Sequence, residues 1–300
     1  MISVCIPVYN VDIRHLVARL HEMGVKSEIP FEIIVIDDAS SDTAMQNQNT
    51  EIKTAGNIRY KTLSKNIGRN LIRFELATMA LYDHLLFLDA DSGFNDTFFF
   101  RRYIHADWRN QLIIGGRMYS EKKPQREHIL HWKYGKSREE RSVESRNLHP
   151  YQSFLACNFL ISKKNLFSLV IDQNLKGYCH EDTFMGMQFE KNRIPVQHIN
   201  NPVIHLGLDT TDQFLNKQEE ALYHLNYIYK TYNDILPVVK QVRLLQAFEK
   251  LRHTGTLKMY NDAIFLIRKI ILKNLSSLQP SLIFLDMHKL GIFIEKYSRN

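Results

Sequence analysis

Short apolar runs that stop abruptly at acid or asparagine shape the first third of the chain. Phe31 to Ile36 (FEIIVI) ends at Asp37-Asp38, and His84 to Leu88 (HLLFL) ends at Asp89-Ala90-Asp91. Ile2 to Val8 is β-branched and apolar and runs out through Tyr9-Asn10. Runs of this length and composition read as strands buried on both faces of a parallel sheet. Between them the period changes. Ile13, Leu16, Val17, Leu20 and Met23 follow helical spacing, as do Ile72, Leu76 and Met79 within Arg69 to Ala80. Ile58 to Leu63 is a further strand candidate. Strand and helix alternating in this way predict an α/β fold, a mostly parallel central sheet flanked by helices. Ligands of such sheets bind outside the carboxyl ends of the strands, so Pro7 to Asn10, Asp37-Asp38 and Asp89 to Asp91 are expected at one edge.

The rest of the chain is less regular. Leu112 to Gly115 and Phe154 to Ser162 resemble strands, and residues 120–150 are so polar that they read as a long loop with one short helix. Glu181 to Lys191 reads as a helix, and residues 196–199 and 203–206 as short strands. Beyond about residue 210 strand signals fade and helical ones take over. We therefore expect a catalytic-type α/β domain over 1–210 and a helical appendage over 211–300. The 300 residues are 44% hydrophobic, enough for a sizeable core, which excludes intrinsic disorder. Lys+Arg 39 against Asp+Glu 32 leaves +7, which calls for an acidic partner. Cys5, Cys157 and Cys179 show no disulfide or zinc spacing and read as reduced thiols of a cytoplasmic protein. The first residues lack the pattern of a signal peptide, and no stretch is apolar enough for a membrane span.

Several constellations carry chemistry. An isolated Asp-x-Asp is common and reads as a solvated turn. At the carboxyl end of a buried strand, Asp89 and Asp91 instead suit one hard divalent cation, Mg²⁺ or Mn²⁺, which holds phosphate oxygens. Asp37-Asp38 suits a helix cap or a nucleotide's base and ribose. Arg69 and Arg73, four apart at a helix start, share a face that suits a diphosphate. Glu181-Asp182 opens a helix and offers a general base for a hydroxyl, or simply complements the helix dipole. His205, on an apolar strand, is either a core residue or a metal nitrogen beside the Asp pair.

Taken together, these residues resemble a family-2 glycosyltransferase of the GT-A fold. The motifs run in family order: Val4 to Asn10, Val35 to Asp42, Asn66-Ile67-Gly68 with Arg73, Phe87 to Asp91, and His180-Glu181-Asp182. Asn158 to Ile161 and His205 extend the match, which covers roughly residues 2–207. The resemblance implies a nucleotide-sugar donor, preferentially a UDP-sugar, a saccharide or lipid-linked saccharide acceptor, and transfer with inversion. It implies that Pro7 and Asp38, with Tyr9 beside them, border the base and ribose. Asp89 would face the ribose or diphosphate, and Asp91 and His205 would hold Mn²⁺ or Mg²⁺. Asp182 would be the base, with Glu181 towards the acceptor. The chain departs from the family pattern at Phe74, where an asparagine is usual, and at Arg69, which enters a stretch usually made of small residues. The diphosphate contact is thus open between Arg69 and Arg73.

Other readings fit less well. A sugar-nucleotide pyrophosphorylase needs a Gly-rich loop after the first strand, and Asn10 to Arg14 (NVDIR) is not one. An inactive scaffold would not need Asp91, Asp182 and His205 together. No nucleic-acid-binding signature is present. Ile264, Phe265, Ile267, Ile270, Ile271 and Leu272, interleaved with Arg268, Lys269 and Lys273, form a basic amphipathic segment. It suits either an anionic membrane surface, making the protein peripheral at the inner face of the cell membrane, or packing on the catalytic domain.

Overall fold

The computed structural model describes residues 1–52, 56–108 and 111–299. The strands are β1 (Ile2–Val8), β2 (Phe31–Asp37), β3 (Ile58–Thr62), β4 (His84–Leu88), β5 (Ser92–Gly93), β6 (Leu112–Ile114), β7 (Arg117–Met118), β8 (Asn158–Ser162), β9 (Val196–His198) and β10 (Val203–His205). The helices are α1 (Arg14–Val25), α2 (Thr43–Thr50), α3 (Gly68–Met79), α4 (Phe99–Ile104), α5 (Ile129–Tyr134), α6 (Val143–Leu148), α7 (Lys163–Phe167) and α8 (Glu181–Lys191). They continue with α9 (Thr211–Tyr232), α10 (Val238–Gln241), α11 (Arg243–His253), α12 (Leu257–Leu275) and α13 (Leu282–Arg299). The chain forms two compact units. The first holds Met1–Tyr119, Glu140–Lys176 and Gln188–Gly207, and the second Ser120–Glu139, Gly177–Met187 and Leu208–Asn300.

The first unit is built on a seven-stranded sheet in the order β3-β2-β1-β4-β8-β6-β9. β1 to β4 pair in parallel, and β8 runs antiparallel to both β4 and β6. Apolar side chains on both faces explain this. Val4, Ile6 and Val8 pack with Leu16, Val17, Leu20 and Met23 of α1, all fully or nearly buried. Each such side chain contributes about 1.5–3 kcal/mol on leaving water. Register then sets the working edge. Val8 faces Asp37, Asp37 faces Thr62, and Cys5 faces Phe87. Two residues further on, β1 has reached Pro7 and the chain after β4 has reached Asp89. The three expected strand ends do lie along one edge.

A second, three-stranded sheet in the order β5-β10-β7 follows that edge. Two- and three-residue strands leave no readable alternation, so only β10 was expected. The segment 120–150 corrects the expectation of a long loop. It contains a 3₁₀ turn at Arg126–His128, α5, a π turn at Gly135–Glu139, and α6. Ile129, Leu130, His131 and Arg146 are buried, so a few anchors outweigh the polar average. Residues 238–253 form two helices, α10 and α11, divided at Val242, whose backbone is extended.

The second unit is helical. Leu130, Phe214, Ile264, Ile271, Leu275 and Leu285 form one cluster. Phe248, Phe293 and Tyr297 pack ring to ring in another region. α9 starts with a capping box, Thr210 bonding reciprocally with Gln213. Among the described residues no helix is long and apolar enough to cross a membrane.

Candidate active site

The site begins where β4 ends. Leu88 leads into Asp89-Ala90-Asp91 and at once into β5, which pairs antiparallel with β10 so that Ser92 faces His205. The amide of Leu206 donates to the Asp91 carbonyl at 2.9 Å. This pairing sets His205 Nδ1 3.3 Å from Asp91 Oδ2, with the side chains 8% and 26% exposed. Tyr119 stands edge-on to the His205 ring. Burial pushes the Asp91 carboxyl up. His205, through its hydrogen bond and charge, and the guanidinium charges of Arg117 and Arg69 outweigh it, and the group is held well below the ordinary carboxylate range. The pair is an ionised hard oxygen beside an imidazole nitrogen.

Asp89 is placed differently. Arg117 Nη2 donates to its Oδ2 at 2.9 Å, and Arg73 Nη2 lies 3.8 Å from Oδ1. Arg73 is 3% exposed and donates to the carbonyls of Arg69 and Ala156. The two arginines of α3 therefore separate. Arg73 is committed to the interior beside Asp89, and Arg69 is exposed while its charge still reaches Asp91. Arg117 was not among the expected residues. Its only signal is the Gly115-Gly116 turn that ends β6, where Gly116 has φ +96 and a Cβ would strike the Arg146 guanidinium at 2.9 Å.

At the neighbouring strand ends, Asp38 donates its amide to the Val8 carbonyl. Its carboxylate accepts from the amides of Ile67 at 2.7 Å and Gly68 at 2.9 Å, at the start of α3. Burial raises the Asp38 carboxyl, these two N–H groups lower it, and the net shift is upward. Asn10 has φ 55 and ties the two loops: its amide donates to Ser40 Oγ, and its side-chain oxygen accepts from the Asp42 amide. Pro7 is half-buried on β1, and Tyr9 is exposed with its hydroxyl 3.4 Å from Ser41 Oγ. Pro7, Tyr9, Asp38, Arg69, Arg73, Asp89, Asp91 and His205 thus all belong to the first unit.

Glu181 and Asp182 belong to the second unit, in the first turn of α8. Glu181 is buried, with the Cys179 thiol 3.6 Å from its Oε2, and Asp182 is half-buried. Gly177, just before them, has φ +67, and a Cβ there would meet Glu220 Oε1 at 2.0 Å.

The family model described as Glycosyl transferase family 2 matches residues 3–166, more than half of the chain. The chain belongs to glycosyl transferase family 2. Among solved structures, the mannosyltransferase PcManGT from Pyrobaculum calidifontis, in complex with GDP-Man and Mn²⁺, is similar with a TM-score of 0.59 and 10% identity. The likeness covers 99% of this chain and 86% of that one. Glucosyl-3-phosphoglycerate synthase from Mycobacterium tuberculosis, in complex with Mn²⁺, UDP-Glc and phosphoglyceric acid, has a TM-score of 0.51 and 15% identity. It covers 75% of this chain and 78% of that one. At these identities the likeness shows the fold, the GT-A arrangement. No curated protein matches the sequence.

In this family-2 chain the donor set fits a divalent cation of limited protein ligation. Among the described residues no group of three or more His, Cys, Asp or Glu could enclose a metal. Asp91 and His205 could offer such a cation one oxygen and one nitrogen, a sparse protein donor set that suits Mg²⁺ or Mn²⁺. Asp89 lies between two guanidinium groups, those of Arg117 and Arg73.

Proposed function

We propose that the chain is an inverting, metal-dependent glycosyltransferase. It moves a hexosyl or N-acetylhexosaminyl group from a nucleoside diphosphate sugar, preferentially a UDP-sugar, to the hydroxyl of a saccharide or lipid-linked saccharide. The observation that carries this reading is Asp91 Oδ2 3.3 Å from His205 Nδ1, with the Asp89–Arg117 pair behind it, at the carboxyl edge of the sheet. A cation held by Asp91 and His205 would neutralise charge on the leaving diphosphate.

The chain's own groups account for the remaining steps. Arg69, exposed on the first turn of α3, adds a second positive charge for the diphosphate. Asp38 orders that turn, and Pro7 and Tyr9 border the base and ribose. Asp182 accepts the proton of the acceptor hydroxyl as its oxygen bonds to the anomeric carbon, and the bond from that carbon to the diphosphate oxygen breaks. Attack from the face opposite the leaving group inverts the anomeric configuration. Three buried cysteines outside any disulfide fit a reducing compartment, and cell-surface polysaccharide or glycolipid assembly from the cytoplasmic side is the setting we propose.

Thermal shift with UDP-, GDP- and dTDP-sugars in the presence of Mn²⁺ tests the donor class, because a bound ligand raises the unfolding temperature. At least one donor is expected to stabilise the protein only when Mn²⁺ is present. Asp91→Ala should abolish that shift and turnover, and Asp182→Asn should keep the shift and lose transfer. A protein that no nucleotide-sugar stabilises would overturn the reading, and full transfer by Asp182→Asn would remove Asp182 as the base.

A further inference from the structure

α12 buries one side and leaves the other uncovered. Ile264, Ile271 and Leu275 face the core of the second unit. Met259, Leu266 and Ile270, seven and then four residues apart, lie along the opposite face with Phe265 beside them, and all four are exposed, Leu266 at 81%. Leu278 and Ile283, around the turn from α12 to α13, are exposed as well. Large apolar side chains concentrated in this way mark a contact surface.

The charges beside this face identify its partner. α12 contributes Lys258, Lys269 and Lys273. Lys122, Lys123 and Arg126 lie on a segment held against the same turn, with Lys123 Nζ donating to the Leu278 carbonyl at 3.3 Å and Arg126 Nε to the Ser276 carbonyl at 3.4 Å. Among the described residues none of these six is in an ion pair, whereas Lys136 and Arg138 are paired with Glu121 and Asp286. We infer that this face docks on an anionic lipid bilayer. α12 lies in the plane of the interface, its apolar side chains at the acyl boundary and its lysines reaching to lipid phosphates. A second copy of the chain is the competing occupant. A two-fold contact through α12 would set these lysines against their own counterparts, and the helix offers a single acid, Asp262, to offset them.

Flotation of the full chain with phosphatidylcholine vesicles, with and without phosphatidylglycerol, tests this. The protein is expected to rise with the anionic vesicles only, and less so as salt increases. The double variant Leu266→Asp, Ile270→Asp should stay at the bottom of the gradient with an unchanged unfolding temperature and unchanged nucleotide-sugar binding. Lys269→Gln and Lys273→Gln should each lower partition roughly fivefold. Failure of the parent protein to float with anionic vesicles overturns the inference, as does flotation of the double aspartate variant. So does a dimer in sedimentation that the same variant dissociates. Donor binding is read separately, so the two proposals fail independently.

Discussion

A methyl group added at Gly207 would lie 2.4 Å from Asp91 Oδ2 and 3.1 Å from its Cγ. The nearest obstructing atoms are the end of a short side chain, which can rotate away, while Asp91 Cβ at 3.2 Å must give by a few tenths of an ångström. The cost of Gly207→Ala therefore falls on the position of the carboxylate and little on the fold. His205 approaches the same oxygen, so a displaced Asp91 also loses the partner that helps to keep it ionised. Changes just outside a metal's own ligands commonly lower affinity by about 10–100-fold. Gly207→Ala is expected to raise the Mn²⁺ concentration for half-maximal donor stabilisation roughly tenfold, with an unchanged unfolding temperature in the absence of metal. A titration of Mn²⁺ at fixed nucleotide-sugar reads this directly. Asp89 stands two residues from Asp91 in a different setting: Arg117 lies 2.9 Å and Arg73 3.8 Å from its oxygens.

α3 depends on a side chain from outside the helix. Its first residue, Gly68, has φ 83, and no residue of the helix caps its amino end. Asp38 does so from β2's far end, accepting two amides that would otherwise go unbonded. Asp38→Ala should cost roughly 1–2 kcal/mol of stability, measurable by denaturant unfolding, and should weaken donor binding by loosening the turn that carries Arg69. α3 itself was legible within one residue at each end, because Ile72 and Leu76 keep a helical period and are buried. Its cap was not, since nothing local links Asp38 to Ile67 and Gly68. The same limit hid Arg117. β7 gains meaning only from pairing with β10, which lies far along the chain. Residues 120–150 were misread for a related reason: Leu130 and Arg146 are decisive, and composition averages them away. Motifs on long strands were readable because each strand announces its own end.

Both units keep histidines neutral by burying them, and this ties the stability of the molecule to pH. In the first unit, Arg146 Nη1 contacts His198 Nδ1 at 2.9 Å, and His198 Nε2 contacts the Pro150 carbonyl at 2.9 Å. A guanidinium only donates and a carbonyl only accepts, so the ring is neutral with its proton on Nε2. Burial pushes His198 down to about 4, with the Arg146 and Arg141 charges adding to the effect against the bond to Pro150. In the second unit, burial, with Lys289 and His224 nearby, pushes His180 down to about 3. The unfolded chain, with ordinary values near 6.5, binds more protons than the folded chain between these limits. Stability is therefore complete above about pH 6.5 and declines as pH falls through that window. For His198 alone the loss by pH 5 is roughly 2 kcal/mol, which lowers the unfolding temperature by about 4 °C or more in a unit of this size. His198→Asn removes the titrating group, so its unfolding temperature should start lower at pH 8 and fall less between pH 7 and pH 5. Parallel melting curves for the two proteins across that interval decide the matter: equal slopes would show that His198 is not a source of the acid sensitivity.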